Sequence, residues 1–208
     1  MKQAFLGTAA AVSGLLHCAE LTGRWQQPSA LPSFRVSGLA GHLARAVFNV
    51  ERWLETPSEY GGTPIDAVAY YLAGAAPAPD LGDTVPARIR ETGEQEAAAG
   101  PAALAAAFDA ARARLGTLLP TLPPDRPVQV FAHVMPLEQC LLTRLVELTV
   151  HLDDLAVSLD RPTPPVPPAA ADAVTVCLAR LSAARHGFLP VLRTLSRRER
   201  VEGPIAAF

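Results

Sequence analysis

The chain has 208 residues, of which 50% are hydrophobic and 18% charged, and its formal net charge is −2. This apolar content excludes a chain that is disordered throughout, and the length predicts one domain, or one domain with a modest extension. The near-neutral charge argues against a protein that holds nucleic acid mainly through its phosphates.

The first predicted element is a helix over Ala4–Leu21, ended by Thr22-Gly23. The uncharged stretch 3–19 is as long as a membrane span, but polar side chains interrupt it, so we expect no transmembrane helix. Lys2 and the apolar run after it also have the shape of a signal peptide. The small-residue triplet Ala9–Ala11 comes too early for a cleavage site, however, and we expect an ordinary first helix.

The cysteines, Cys18, Cys140 and Cys177, are odd in number and far apart, and no C-x-x-C pair occurs. They predict neither a disulfide scaffold nor a zinc ribbon, and reduced thiols in a cytoplasmic protein fit best. Seventeen arginines against a single lysine, Lys2, indicate a GC-rich genome.

A second helix is predicted from about Ser37 to Thr56, where Pro57 stops the run. Its apolar residues recur at helical spacing. They are Leu39, Leu43, Ala46, Val47, Val50 and Leu54.

Proline and glycine divide the rest of the chain into further helical segments, and no strand pattern is found. In chain order we predict a short helix at Asp66–Gly74, an exposed connection at Ala76–Pro79 and Gly82, helix over Arg88–Leu119 with a break at Gly100-Pro101, a loop at Leu122–Asp125, a strongly apolar helix at Leu137–Leu159, a proline-rich linker at Pro162–Pro168, and an amphipathic helix at Ala169–Leu195. This pattern predicts an all-α fold, an antiparallel four-helix bundle with an additional C-terminal helix. The bundle would occupy residues 1–160, and the linker and helical extension packed on it would occupy 161–208.

One helix carries a polar stripe. At 100° per residue, Arg144, Glu147, His151 and Asp154 fall within an arc of about 80° on the helix Leu137–Leu159. The stripe could be the solvent face of a buried helix, with Arg144 and Glu147 as an ordinary ion pair. Alternatively, it could point into the bundle, where Glu147 and His151 at i and i+4 would offer a carboxylate oxygen and an imidazole nitrogen to one metal ion.

A metal site needs a third ligand from another helix. His42 lies at the edge of the apolar face of the second helix and is expected to point inward, either as a ligand or as a core histidine. The remaining histidines, His17, His133 and His186, are expected to be surface or cap residues, with His133 in the loop before the apolar helix.

Two segments, Leu39–Leu43 (LAGHL) and Arg144–Leu155 (RLVELTVHLDDL), resemble the metal-binding bundle of the mycothiol-dependent maleylpyruvate isomerases, within the DinB-like superfamily. The resemblance covers the chain up to about residue 160. It implies a four-helix bundle whose metal, typically zinc, is held by a histidine on the second helix and a Glu-x-x-x-His pair on the fourth. Matched position by position, the implied ligands are His42, Glu147 and His151.

The resemblance also implies chemistry. Three protein ligands leave a fourth position open, as in catalytic zinc sites, and in the family this position is thought to receive the thiol of mycothiol, a thiol of many actinobacteria. A divalent metal favours the thiolate, which could attack an electrophilic small molecule and either leave again, giving isomerisation, or stay attached, giving transfer. Asp154 is a candidate to accept the second N–H of a metal-bound histidine, although it could equally orient Arg144. Arg144 could bind an anionic group of the thiol or substrate, or it could neutralise Glu147 and Asp154.

Two features depart from the family pattern. Phe34 stands where the family commonly has a tryptophan, and the 48 residues of the segment 161–208 are too few for the additional mixed domain of the isomerases. The expected function is therefore a metal-dependent, mycothiol-using isomerase or transferase of unknown substrate. A non-catalytic metal- or ligand-binding bundle and a zinc-dependent hydrolase remain as alternatives. We expect a small electrophile and a low-molecular-weight thiol as partners, and no nucleic acid or membrane; a homodimer and a divalent metal other than zinc stay open.

Overall fold

A computed structural model describes residues 1–56, 62–75, 84–201 and 203–208. Its described residues form an all-α fold with one small β-hairpin, as the sequence predicts for the fold class. The helices are α1 (Lys2–Leu16), α2 (Ala19–Arg24), α3 (Val36–Glu55), α4 (Ala67–Ala75), α5 (Thr84–Glu96), α6 (Pro101–Leu118), α7 (Leu137–Ser158), α8 (Pro168–His186) and α9 (Phe188–Ser196); the strands are β1 (Pro127–Val130) and β2 (His133–Pro136).

Four helices enclose the main core. Helix α1 packs against α6 and α7, and α3 packs against the same two helices, so the four form a closed ring. Fully buried side chains fill its centre, among them Phe5, Leu43, Phe108, Leu141 and Leu148. Helix α8 packs against α1, α4 and α7 and shares with these three helices a second, smaller apolar cluster.

Two long helices of the bundle begin and end close to the predicted positions. Helix α3 confirms the prediction Ser37–Thr56, and α7 confirms Leu137–Leu159. The predicted break at Gly100-Pro101 separates α5 from α6, because Gly100 has a positive φ of 91° and Pro101 starts the next helix. The predicted connection at Ala76–Pro79 and Gly82 lies outside the described residues.

Two predicted helices are each divided in two. The predicted helix Ala4–Leu21 is interrupted because Cys18 has an extended backbone, with φ −73° and ψ 148°. The single predicted helix at Ala169–Leu195 is likewise wrong, since Gly187, at φ 89°, separates α8 from α9. A positive φ is costly for residues with a side chain but not for glycine, so the chain turns at that position.

The β-hairpin was not predicted, and His133 lies in its second strand instead of a loop. The strands pair antiparallel, with Val130 opposite His133, so that Phe131 and Ala132 form the turn. Each strand has four residues and a proline at its outer end, which is too short a pattern to be found in the sequence. Tertiary packing stabilises the hairpin because three of its side chains are buried in the main core: Val128, Val130 and Met135.

No helix in the described part of the chain is long and apolar enough to cross a membrane.

Helices α3 and α5 approach each other at glycines. A Cβ atom at Gly41 would lie 2.0 Å from the carbonyl oxygen of Gly93, and one at Gly93 would lie 2.4 Å from that of Gly38. Ser37 Oγ donates a hydrogen bond of 2.8 Å to Glu94 at the same contact. Since His42 follows Gly41, this close packing fixes the turn of α3 that carries His42.

We expect Gly41→Ala or Gly93→Ala to lower the free energy of unfolding by about 1–3 kcal/mol, because the added methyl group meets backbone atoms that cannot move independently. Gly116→Ala in α6 is the matched control, since nothing lies within 4 Å of its Cβ position. The control should be neutral or stabilising by up to about 1 kcal/mol. Urea unfolding followed by circular dichroism measures both changes, and equal effects at the three positions would contradict the close packing.

Candidate metal centre

The contact between α3 and α7 brings together His42, Glu147 and His151. One potential ligand atom from each lies within 4.8 Å of the others. His42 Nε2 is 3.2 Å from His151 Nε2 and 3.7 Å from Glu147 Oε2. The distance between His151 Nε2 and Glu147 Oε2 is 3.4 Å. Ligands of a tetrahedral zinc ion at its usual bond lengths are about 3.3 Å apart. The spacing and the two-nitrogen, one-oxygen donor set both fit such an ion.

Asp154 orients His151. Its Oδ2 lies 2.8 Å from His151 Nδ1, which leaves Nε2 as the nitrogen directed at the cluster. Histidines that bind metals usually donate their other N–H to a carboxylate or a carbonyl, so this contact has the geometry of a metal-site partner. His42 has no equivalent partner in the described part of the chain, where its Nδ1 is buried without a hydrogen bond.

Tyr71 holds Glu147 from the opposite side. Its hydroxyl lies 3.1 Å from Glu147 Oε1 and 2.8 Å from the carbonyl oxygen of Thr143, so Oε2 is left for the histidines. Burial, assisted by the charge of Glu147, raises the pKa of Tyr71 well above its usual value, and the hydroxyl stays protonated as a donor. Tyr71 is not predictable as a site residue from the sequence, because it lies on the short helix α4 and nothing in its sequence neighbourhood indicates a contact 76 positions away.

The three residues of the cluster have pKa values shifted in different directions. Burial alone would lower the pKa of His151, but hydrogen bonds to Asp154 and Glu147 and their charges outweigh it and raise the pKa to about 9. Burial lowers the pKa of His42. Burial opposes ionisation of Glu147, yet hydrogen bonds from the two histidines and the charge of Arg144 hold its pKa well below the usual value. In the metal-free protein a charged His151 therefore lies beside a neutral His42 and an ionised Glu147.

Arg144 does not form the ion pair with Glu147 that the sequence suggested as one alternative. Its guanidinium lies 5.5 Å from the ring centre of Trp53 and 5.8 Å from that of Tyr70, and its side chain is only 7% exposed. The stripe on α7 is therefore not a solvent face. Arg144 and Glu147 line a cavity of about 490 Å³, which opens to the surface, together with His42.

Residues far along the chain complete this cavity. Arg185 of α8 and Phe208 line it, and the Phe208 ring packs edge-on against Tyr71 with ring centres 5.2 Å apart. The segment that carries Phe208 is held to α8 by hydrogen bonds from Ser182 Oγ to the Ile205 carbonyl (2.7 Å) and from His186 Nε2 to the Ala206 carbonyl (2.8 Å).

The other histidines have varied positions. His133, expected as a surface or cap residue, lines the cavity beside Tyr70, with ring centres 6.2 Å apart. His17 is exposed and pairs with Asp109 on α6 at 2.8 Å, and His186 is also exposed. The surface expectation is therefore correct for the last two and wrong for His133.

The fold and site define a helical bundle with a His–Glu–His cluster between two of its long helices. The family model described as the mycothiol maleylpyruvate isomerase N-terminal domain matches residues 8–156, and the chain belongs to this family. No curated protein and no solved structure matches significantly. The match ends within α7, so Arg185 and Phe208 lie outside the matched residues.

In the metal-free protein, the imidazole of His151 should stay doubly protonated up to about pH 9. The imidazole of His42 should lose its second proton at a pH below its usual pKa. Because the folded pKa of His151 is raised, its contribution to stability is complete below the unfolded value of about 6.5 and is lost as the pH rises towards 9. A nitrogen-15 NMR titration of the imidazoles in the presence of a chelator measures both values.

Asp154→Asn should lower the pKa of His151, because it removes a charged acceptor, while Asp153→Asn, at an exposed residue that bonds Thr163, should leave it unchanged. A His151 that titrates at or below its usual pKa would contradict the hydrogen bonding described here.

Proposed function

We propose that this protein is a metal-dependent, thiol-using isomerase or transferase that acts on an electrophilic small molecule. The observation that carries the proposal is the convergence of His42, Glu147 and His151 on one point, beside a cavity that His42 and Glu147 line. Membership of the mycothiol maleylpyruvate isomerase family supports it.

The proposed metal is zinc. His42 and His151 would bind through Nε2 and Glu147 through Oε2, which leaves a coordination position for a further ligand, as in catalytic sites. Bound zinc would lower the pKa of a thiol in that position and so supply a thiolate nucleophile near pH 7. We propose mycothiol as that thiol.

The chain's own cysteines are poor candidates for the nucleophile. Burial raises the pKa of Cys140 to about 12 and also raises that of Cys177. Neither these two nor Cys18 lines the cavity within the described part of the chain. A nucleophilic sulfur at this site must therefore come from a cosubstrate.

The surrounding residues position the cluster. Asp154 keeps the His151 ring turned towards the site, and Tyr71 keeps Glu147 Oε1 occupied, so both are positioning residues. Aromatic rings, among them Tyr70 and Phe131, form an apolar cavity wall that limits water around the reacting molecule. Residues 161–208 are proposed as an extension to the bundle of residues 1–160 that closes one side of this cavity.

The metal site predicts about one zinc ion per chain in protein purified without a metal-binding tag. His42→Ala and His151→Ala should each abolish binding, because two remaining ligands hold zinc weakly. His17→Ala is the control, since it removes an exposed histidine on another helix. Metal content by mass spectrometry and helicity by circular dichroism are measured on all four proteins. Wild-type protein that cannot be loaded with zinc, nickel or manganese at pH 7.5 would refute the proposal.

Thiol binding predicts a sulfur-to-cobalt charge-transfer band when mycothiol is added to the cobalt-substituted protein. S-methylated mycothiol should give no such band, because it cannot form a thiolate. An electrophile screen with and without the thiol then tests turnover. Transfer would leave the thiol on the product, and isomerisation would return it unchanged. Turnover that needs no thiol would identify a metal-dependent hydrolase instead, and metal binding with neither the band nor turnover would identify a non-catalytic binding protein.

A further inference from the structure

Phe208 packs against Tyr71, the residue whose hydroxyl holds Glu147. The two aromatic rings meet edge-on, with their centres 5.2 Å apart. Among the described residues Tyr71 has one other ring contact, at 5.4 Å, and it is with its own neighbour on α4, Tyr70. The guanidinium of Arg185 on α8 lies 5.8 Å from the centre of the Phe208 ring. Phe208 is therefore the ring through which a distant part of the chain contacts Tyr71.

The Tyr71 hydroxyl has a single proton and two acceptors within reach. The carbonyl oxygen of Thr143 lies 2.8 Å from it, and Glu147 Oε1 lies 3.1 Å from it. The bond to Glu147 is the longer one, and hydrogen bonds weaken as distance and angle depart from their optimum. A small displacement of the ring away from Glu147 would leave the proton on the Thr143 carbonyl. The hydrogen bond to Glu147 thus depends on where the Tyr71 ring is held.

The segment 203–208, which we call the strap, is attached to α8 by side chains. Ser182 and His186 donate hydrogen bonds of 2.7 and 2.8 Å to two of its carbonyl groups. Ala207 packs against the smaller apolar cluster that α4 shares with α8. Phe208 itself is 58% exposed, so it buries too little apolar surface to be needed for the fold. The strap therefore places a ring beside the cavity without forming part of the main core.

We infer that Phe208 is a positioning residue for the metal centre: it fixes the Tyr71 ring, and Tyr71 keeps Glu147 Oε1 hydrogen-bonded, so that Glu147 offers Oε2 alone to the metal. A carboxylate can bind a metal through one oxygen or both, so loss of this hydrogen bond frees Oε1 as an additional ligand. The inference rests on the metal site of the proposed function, but the contacts from Phe208 to the cluster exist without metal. Phe208 lies outside residues 8–156, which the family model matches.

The first measurement needs no metal. Nitrogen-15 NMR spectra of the His42 and His151 imidazoles are recorded at one fixed pH in chelator. Phe208→Ala should shift or broaden both sets of signals, as Tyr71→Phe does, because the carboxylate that both imidazoles face is no longer fixed. Phe208→Tyr keeps the ring and should restore the wild-type spectrum. Phe188→Ala is the matched control, since it removes a phenylalanine of α9 that is 70% exposed and does not line the cavity.

The second measurement uses metal-loaded protein. Cobalt-substituted Phe208→Ala should absorb visible light more weakly than cobalt-substituted wild type, because five-coordinate cobalt absorbs less than tetrahedral cobalt. Zinc affinity, measured by competition with a chelator, should fall about tenfold in Phe208→Ala, as is typical when a metal ligand loses its hydrogen-bonding partner. Adding Phe208→Ala to Tyr71→Phe should lower the affinity no further, because both changes remove the same hydrogen bond. Circular dichroism confirms that each variant is folded.

Three results would overturn the inference. The first is a Phe208→Ala protein with the imidazole signals, cobalt spectrum and zinc affinity of the Phe188→Ala control. The second is a double variant that binds zinc more weakly than Tyr71→Phe, since Phe208 would then act by another route. The third is a Phe208→Tyr protein that behaves like Phe208→Ala. A wild-type protein that binds no metal would refute the proposed metal site instead, and the metal-free spectra would still decide whether Phe208 positions the cluster.

Discussion

The burial of a polar stripe on α7 is the constraint on which the rest of the structure depends. A charged or hydrogen-bonding group taken out of water must find partners inside the protein. His151 finds Asp154 at 2.8 Å, and Glu147 finds Tyr71 and the two histidines. Arg144 lies against two aromatic rings, and its charge helps to hold the pKa of Glu147 low.

The surrounding elements provide what that burial requires. Helix α4 supplies the two tyrosines that contact Glu147 and Arg144, and the hairpin brings Phe131 within 5.2 Å of Trp53, measured between ring centres. The hairpin is itself anchored, because Val128, Val130 and Met135 are part of the main core. Short segments therefore complete a cavity whose other walls are provided by the long helices α3 and α7.

Long periodic patterns were predicted well, and short or irregular features were not. Helices α3 and α7 have 20 and 22 residues with apolar side chains at helical spacing, which a sequence displays directly. The break at Cys18 follows no proline or glycine, and the two four-residue strands carry prolines that weaken their signal. These features depend on packing against the core, to which residues distant in sequence contribute.

The sequence by itself determined that Arg144, Glu147, His151 and Asp154 share one face of a helix, because the helical period depends only on spacing along the chain. It also determined the all-α class through the length and placement of its apolar runs. Through the family resemblance, the sequence also implied that His42 is the histidine which meets this face. The tertiary structure alone decided that the face looks into a cavity and that Tyr71, His133 and Phe208 complete the walls. These contacts join residues many turns or several elements apart, and their distances are set by how the helices pack, which no local pattern specifies.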